Sequence, residues 1–96
     1  MFKKKSVPTY EFIITGRVQG VGYRWYVRSQ AQEYHISGYV KNLYTGDVQV
    51  IAQGEEEDIA LFIESLYKGN GRSVVESLSK TEIKTEKTHG GFKIEH

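Results

Sequence analysis

Gly16-Arg17-Val18-Gln19-Gly20-Val21-Gly22-Tyr23-Arg24 lies between a strand-like segment and a helix-like one, and it decides how the chain is interpreted. Its glycines let the backbone turn sharply and let a ligand come close to the amides. A loop that opens a helix aims free N–H groups at one point, and that point attracts anions. Arg24, in the first turn of the helix, carries a guanidinium suited to phosphate oxygens. The stretch therefore predicts a phosphate cradle with its own arginine.

The segments on either side of this loop predict a strand followed by a helix. In residues 10–15, apolar side chains fall on both parities of an alternating pattern, which is typical of a strand buried on both faces or nearly so. After the loop, apolar residues recur at helical spacing. These residues are Tyr23, Val27, Ala31 and Tyr34. The loop therefore joins a buried strand to the start of an amphipathic helix.

The rest of the chain predicts a hairpin, a second helix and two more strands. In chain order these are strands at 39–42 and 48–53, a helix from Gly54, a strand at 74–84 and a short strand at 92–94. Because Val75 and Leu78 do not share a parity, we expect a bulge or bend in the 74–84 strand. The order βαββαβ, with a short extra C-terminal strand, predicts an α+β, ferredoxin-like split βαβ sandwich with two helices on one face of an antiparallel sheet.

This topology brings a second motif to the glycine loop. In a split βαβ unit the first and second strands run parallel, with the third strand between them, so their C-terminal ends meet the same edge of the sheet. The loop leaves the first strand there, and Asn42 ends the second. Strands two positions apart lie about 10 Å from each other. Arg24, the loop amides and Asn42 should therefore converge on one site large enough for a phosphoryl group and a water.

The residue types at this site indicate a reaction class. Arginine and amides neutralise the charge that a phosphoryl group carries and spreads in its transition state. Asparagine cannot take a proton at neutral pH, but its amide can orient a water. A water oriented in this way is a weak nucleophile, so the substrate must carry a good leaving group such as a carboxylate. The expected substrate is a mixed anhydride of a carboxylic and a phosphoric acid.

The glycine loop and Gly38-Tyr39-Val40-Lys41-Asn42, followed by Gly46-Asp47-Val48, resemble the paired signatures of the acylphosphatase family from about residue 10 to residue 94. The resemblance implies hydrolysis of a small-molecule acyl phosphate to a carboxylate and inorganic phosphate, without metal or cofactor. It implies that Arg24 holds the phosphate and Asn42 positions the water. It also implies a cradle made by the backbone of Val18, Gln19, Gly20, Val21 and Gly22, for which inorganic phosphate would compete.

Several positions depart from the commonest family pattern. Shape or charge is kept at three of them, which are Tyr23 in place of phenylalanine, Tyr39 in place of tryptophan and Lys41 in place of arginine. Thr45 stands where Asp or Asn is usual, and this affects the geometry of the turn more than the chemistry. Leu43 stands where some members carry a hydroxyl. If that hydroxyl helps to hold the asparagine, this chain orients it otherwise and its rate is expected to be lower.

Composition limits the other classes of function. The 96 residues fit one domain, which we place at residues 9–96 after a flexible N-terminal segment at residues 1–8. The net charge of +1 argues against a protein that coats nucleic acid, and no apolar run could span a bilayer. The absence of cysteine and of a secretory signal fits a cytoplasmic monomer. The three histidines are scattered and predict no metal site.

Two other functions remain open at this point. A non-catalytic module of the same fold could bind a small anion, although binding alone needs no amide to orient a water. An RNA-binding module shares the βαββαβ order, but the third strand lacks the aromatic residues that stack on bases. Trp25, Tyr26 and Tyr23, near Arg24 and Arg28, resemble a stacking platform. Their helical spacing favours core on one face of the helix and exposed surface on the other.

Overall fold

The computed structural model describes residues 7–96, so the expected N-terminal segment lies outside the described residues except for Val7 and Pro8. The elements are β1 (Thr9–Arg17), α1 (Tyr23–Glu33), β2 (Ser37–Asn42), β3 (Val48–Gln53), α2 (Glu56–Lys68), β4 (Val74–Ile83) and β5 (Phe92–Glu95). The predicted βαββαβ order with an extra short strand is confirmed. The Pro8 carbonyl accepts a hydrogen bond from the Gly54 amide at 3.3 Å, next to the start of β1.

The five strands form one sheet in the order β4-β1-β3-β2-β5. β3 is antiparallel to both β1 and β2, so these two strands run parallel and their C-terminal ends share an edge, as the topology predicted. β5, in contrast, pairs with β2 in parallel, which makes the sheet mixed and corrects the expectation of an antiparallel sheet. A strand of 4 residues carries too short a pattern to report its own direction.

The core lies between one face of the sheet and the two helices. Phe12 and Ile14 on β1 are fully buried, while Glu11, Ile13 and Thr15 on the opposite face are half-buried. β1 is therefore a core strand on one side and a partly exposed one on the other. On the helices, the fully buried apolar side chains are Val27, Ala31, Ile59, Phe62 and Leu66. The Phe62 ring lies 6.2 Å from the ring of Phe12 and packs edge-on against Phe92.

A bulge bends the sheet immediately before the glycine loop. Thr15 pairs with Ser77 and Gly16 pairs with Val75, so Glu76 is an extra residue in β4. The predicted irregularity in this strand is confirmed. Gly16 has φ of +128°, and a Cβ at this position would collide with the carbonyl oxygen of Val74. Only glycine fits here, and β1 can then turn into the loop.

The two helices are tied together by tyrosine hydroxyls. Tyr23 donates a hydrogen bond to the Leu66 carbonyl at 2.8 Å, and Tyr26 donates to the Ser65 carbonyl at 2.7 Å. Both carbonyls belong to the last turn of α2, where backbone oxygens run out of partners within the helix; the Ser65 carbonyl also accepts from the Gly69 amide at 3.1 Å. Burial raises the pKa of Tyr23 well above its ordinary value. The first turn of α1, which carries Arg24, is held firmly in place as a result.

Candidate active site

A cavity of about 240 Å³ opens at the edge of the sheet where β1 and β2 end. Its walls combine the glycine loop, the first turn of α1 and the last residue of β2. The lining residues are Val18, Gly20, Gly22, Tyr23, Arg24, Trp25 and Asn42. The structure thus brings Arg24 and Asn42, predicted from separate motifs, to the same cavity. Gln19 and Val21 belong to the same loop but do not line it.

The start of α1 carries a positive electrostatic potential that no acidic side chain of its first turn compensates. Gly22 caps the helix in a left-handed conformation, with φ of +75° and ψ of 15°, and no side chain caps the first turn. That turn contains no acidic residue, whereas the first turn of α2 contains Glu56, Glu57 and Asp58. The free N–H groups at a helix start and the helix dipole both favour an anion. The charge of Arg24 adds to this field.

Arg24 is held from the side of the last strand. Its Nη1 donates a hydrogen bond to the backbone carbonyl of Glu95 in β5 at 3.0 Å. Among residues 7–96 the structure pairs it with no carboxylate, so its charge is not neutralised. A guanidinium carries five N–H donors, and one bond to a carbonyl leaves the others for a ligand. Because this hydrogen bond fixes the Arg24 guanidinium in advance, less conformational entropy is lost when the guanidinium binds an anion.

Asn42 presents an unsatisfied amide at the end of β2. Its Oδ1 is buried and has no hydrogen-bond partner within the described part of the chain. A buried acceptor without a partner is unfavourable by about 1–3 kcal/mol. A water or hydroxyl that donates to this oxygen would remove that penalty. Asn42 lines the cavity, so its amide lies beside the positive field of the loop.

The side chain of Gln19 fixes the distance between the two halves of the site. Its Nε2 donates hydrogen bonds to the carbonyls of Leu43 at 2.7 Å and Asp47 at 2.9 Å. Leu43 directly follows Asn42, so the loop is clamped to the turn that ends β2. Sequence reasoning assigned only the backbone of Gln19 to the cradle and missed this contact. The available signal was a long amide side chain inside a loop otherwise made of glycine and valine.

Asn70 supports the loop from the opposite side. Its Nδ2 donates to the carbonyl of Val21 at 2.8 Å, and its Oδ1 accepts from the amides of Arg72 and Ser73 at 3.0 Å each. The loop between α2 and β4 therefore holds the cradle from outside the two motifs. Sequence reasoning interpreted Asn70 only as part of a helix stop. No local pattern indicates that its amide reaches a residue 49 positions away.

The turn after Asn42 accommodates the two departures noted in the sequence. Leu43 offers no side-chain hydrogen bond, but its amide donates to the Asp47 carbonyl at 2.9 Å. Thr45 donates to the Asp47 carboxylate at 3.2 Å and accepts from the Asp47 amide at 3.4 Å. Threonine thus provides the local side-chain contact that Asp or Asn provides in such turns. The backbone and Gln19, rather than a hydroxyl at position 43, hold this turn.

Comparison with known proteins agrees with the geometry of the cavity. The family model described as Acylphosphatase matches residues 10–94. The chain belongs to the acylphosphatase family. The Acylphosphatase of Bacillus subtilis (strain 168) is 38% identical over 85 residues, which are 88% of this chain and 93% of that protein. The Acylphosphatase of Vibrio parahaemolyticus is 40% identical over 89 residues, or 93% of this chain and 98% of that protein.

The fold comparison gives the same family. The crystal structure of acylphosphatase from Bacillus subtilis matches with a TM-score of 0.89 and 36% identity, over 93% of this chain and 99% of that one. Acylphosphatases have the ferredoxin-like fold and are hydrolases, so the predicted family, fold and enzyme class are confirmed. Within residues 7–96 no helix is long and apolar enough to cross a membrane. The same residues form no cluster of three or more His, Asp or Glu side chains suited to a metal ion.

Proposed function

We propose that Arg24 and the backbone of residues 18–22, of which Val18, Gly20 and Gly22 line the cavity, bind the phosphoryl group of an acyl phosphate, and that Asn42 orients the water that attacks it. The observation that carries this proposal is that Arg24 and Asn42 line the same cavity at the start of α1. The products are a carboxylate and inorganic phosphate. Each residue named is one that the acylphosphatase signatures indicated.

The phosphate half of the site works by electrostatic stabilisation. The α1 dipole, the free N–H groups and the unneutralised guanidinium all point positive charge at one place. These groups are fixed before the substrate arrives, because Glu95 holds Arg24 and Gln19 clamps the loop. They therefore stabilise the charge that spreads over the phosphoryl oxygens without reorganising in the transition state.

The water half of the site works without a protein base. None of the residues that line the cavity carries a carboxylate or an imidazole, and the hydroxyl of Tyr23 is already donated to Leu66. The oxygen of water forms a bond to phosphorus while the bond from phosphorus to the acyl oxygen breaks. The electron pair leaves on the carboxylate, and the protons of water remain with the phosphate product. Asn42 contributes position rather than proton transfer.

We also propose a setting for this activity. Residues 9–96 would act as one domain and as a monomer in the cytoplasm, with no nucleic acid partner. The nearly balanced charge and the absence of cysteine support this view. Inorganic phosphate, as the product, would compete with the substrate for the cradle.

Hydrolysis of benzoyl phosphate in the presence of a metal chelator tests the proposal. Arg24→Ala and Asn42→Ala should each lower kcat/KM by about 10²–10³, the usual effect of removing a pre-organised contact to the transition state. Arg17→Ala is the matched control, because Arg17 is exposed at the end of β1 and does not line the cavity. Wild-type rates in both site variants would refute the assignment.

Phosphate inhibition separates the two roles. Arg24→Ala should weaken inhibition by inorganic phosphate, whereas Asn42→Ala should lose turnover and keep the inhibitor bound. A protein that binds phosphate but hydrolyses no acyl phosphate would instead be the anion-binding module that remained open from the sequence. Steep salt-dependent binding of RNA would favour the third possibility.

A further inference from the structure

An exposed tryptophan stands at the rim of the candidate active site. Trp25 directly follows Arg24 and lines the phosphate cavity, yet 65% of its surface is exposed to solvent. It also lines a neighbouring cavity of about 370 Å³, formed between α1 and β5. Trp25 is therefore common to the walls of the place where phosphate would bind and of a second space. Nothing in the proposed hydrolysis uses it.

Arg28 fixes the orientation of this indole. The guanidinium carbon of Arg28 lies 5.7 Å from the centre of the Trp25 ring, a cation–π contact between residues one helical turn apart. The Nε of Arg28 is buried and has no hydrogen-bond partner within residues 7–96. The charged side chains of the second cavity are Arg28, Lys93 and Glu95, with Ile94 between the last two. The space is thus apolar at Trp25, and beyond it two positively charged side chains and one carboxylate line it together with His96.

The direction of attack limits where the acyl group can leave the phosphoryl group. In-line displacement puts the leaving group opposite the attacking water, and therefore on the side of the phosphoryl group away from Asn42. Apart from the loop and the buried Tyr23, the remaining wall residues are Arg24 and Trp25. A carboxylate that leaves past Trp25, which lines both cavities, enters the neighbouring space. The body of the acyl group then reaches the space beside Arg28.

We propose that Trp25 and Arg28 form the acyl-group subsite of this protein. The indole supports an extended apolar or aromatic acyl body, and the guanidinium takes a negative charge at its far end. This inference rests on the proposed function, because it assigns the part of the substrate that the phosphate cradle does not hold. The substrate class is an acyl phosphate whose acyl group is larger than acetyl and carries a distal anion.

The indole arm is tested by the ratio of kcat/KM for benzoyl phosphate to that for acetyl phosphate. Trp25→Ala should lower this ratio about 2- to 10-fold, the range expected for the loss of one aromatic contact. Trp25→Phe should restore most of it. Tyr67→Ala is the matched control, because Tyr67 is an aromatic residue on α2 that is 49% exposed and lines neither cavity.

The charge arm is tested with succinyl phosphate against butyryl phosphate, which have acyl chains of the same length. Arg28→Gln should lower the succinyl preference about 2- to 5-fold, since a partly exposed ion pair contributes little. Added salt should shrink the wild-type preference in the same direction. If Arg28→Gln changes the benzoyl ratio but not the succinyl ratio, Arg28 only orients the indole and the anion assignment is overturned.

The outcomes separate this inference from the hydrolysis itself. If Trp25→Ala remains folded by circular dichroism and keeps the wild-type benzoyl-to-acetyl ratio, the subsite is refuted while the hydrolase assignment stands. If the wild-type protein hydrolyses neither acetyl nor benzoyl phosphate, the proposed function fails and the subsite fails with it. A reduced ratio in Trp25→Ala, restored in Trp25→Phe and unchanged in Tyr67→Ala, supports it.

Discussion

Gln19→Ala should uncouple the two halves of the site. The side chain makes two hydrogen bonds, to carbonyls at positions 43 and 47, and both are partly buried. A net contribution of about 0.5–1.5 kcal/mol for each bond gives a range of about 1–3 kcal/mol. Each carbonyl keeps a second donor, which is the Gly46 amide for one and the Leu43 amide for the other. Neither is left unpaired, so we expect a loss of about 1–2 kcal/mol in the free energy of unfolding.

The effect on catalysis should exceed the effect on phosphate binding. Without the clamp, Asn42 can shift relative to the loop, and a displacement of about 1 Å can lower a rate by about 10²-fold. The cradle and Arg24 keep their other supports, so inhibition by inorganic phosphate should change less than kcat. Urea unfolding and benzoyl phosphate hydrolysis measure the two effects separately.

A second substitution at position 19 and a control substitution on α1 test this prediction further. Gln19→Glu places a carboxylate against the same two carbonyl oxygens and should be at least as destabilising as Gln19→Ala, because it removes the donor and adds repulsion. Gln32→Ala, at an exposed position of α1, is the control. If Gln19→Ala matches Gln32→Ala in both unfolding free energy and kcat, the clamp does not hold Asn42 and the reasoning is refuted.

Three other predictions concern stability, measured by urea unfolding. Phe62→Ala should lose about 3–5 kcal/mol, since Phe62 on α2 is fully buried against Phe12 and Phe92 of the sheet; an unchanged midpoint would contradict the packing. Tyr23→Phe should lose about 0.5–1.5 kcal/mol by freeing the Leu66 carbonyl. The hydrogen bond to Glu56 raises the pKa of Tyr10 from 10.0 to about 12, so its stabilisation is complete below pH 10.0 and is lost toward pH 12. Tyr10→Phe should lack this alkaline loss.

The parts of the fold that follow from local patterns were predictable. The helices, the hairpin and the order of elements come from periodicity and glycine positions, and the parity conflict between Val75 and Leu78 located the bulge in β4. The meeting of Arg24 with Asn42 followed from topology, because parallel strands separated by one strand end at the same edge. These features depend on backbone geometry, which the sequence pattern reports well.

The parts that depend on single long-range side-chain contacts were not predictable. The amides of Gln19 and Asn70 could have faced solvent, and only the packed structure shows which carbonyls they reach. The parallel pairing of β5 likewise depends on where the chain returns after β4, and no residue of the short strand reports it. The hydrogen bond from Arg24 to the Glu95 carbonyl depends on that pairing, so it was also absent from the sequence interpretation.

The placement of the two helices leaves the start of α1, but not that of α2, without acidic residues in its first turn. β1 and β3 are antiparallel, with Thr9 opposite Gln53, so α2 begins at the edge of the sheet remote from the glycine loop. Its positive end is matched there by acidic residues of its own first turn. The negative end of α2 lies on the side of the cavity, where the hydroxyls of Tyr23 and Tyr26 occupy its last carbonyls. The start of α1, Arg24 and the guanidinium of Arg72, which lies beside Gly22, therefore supply the positive potential at the cradle. Loss of Arg24 should then weaken phosphate binding far more than a neutral substitution in the first turn of α2.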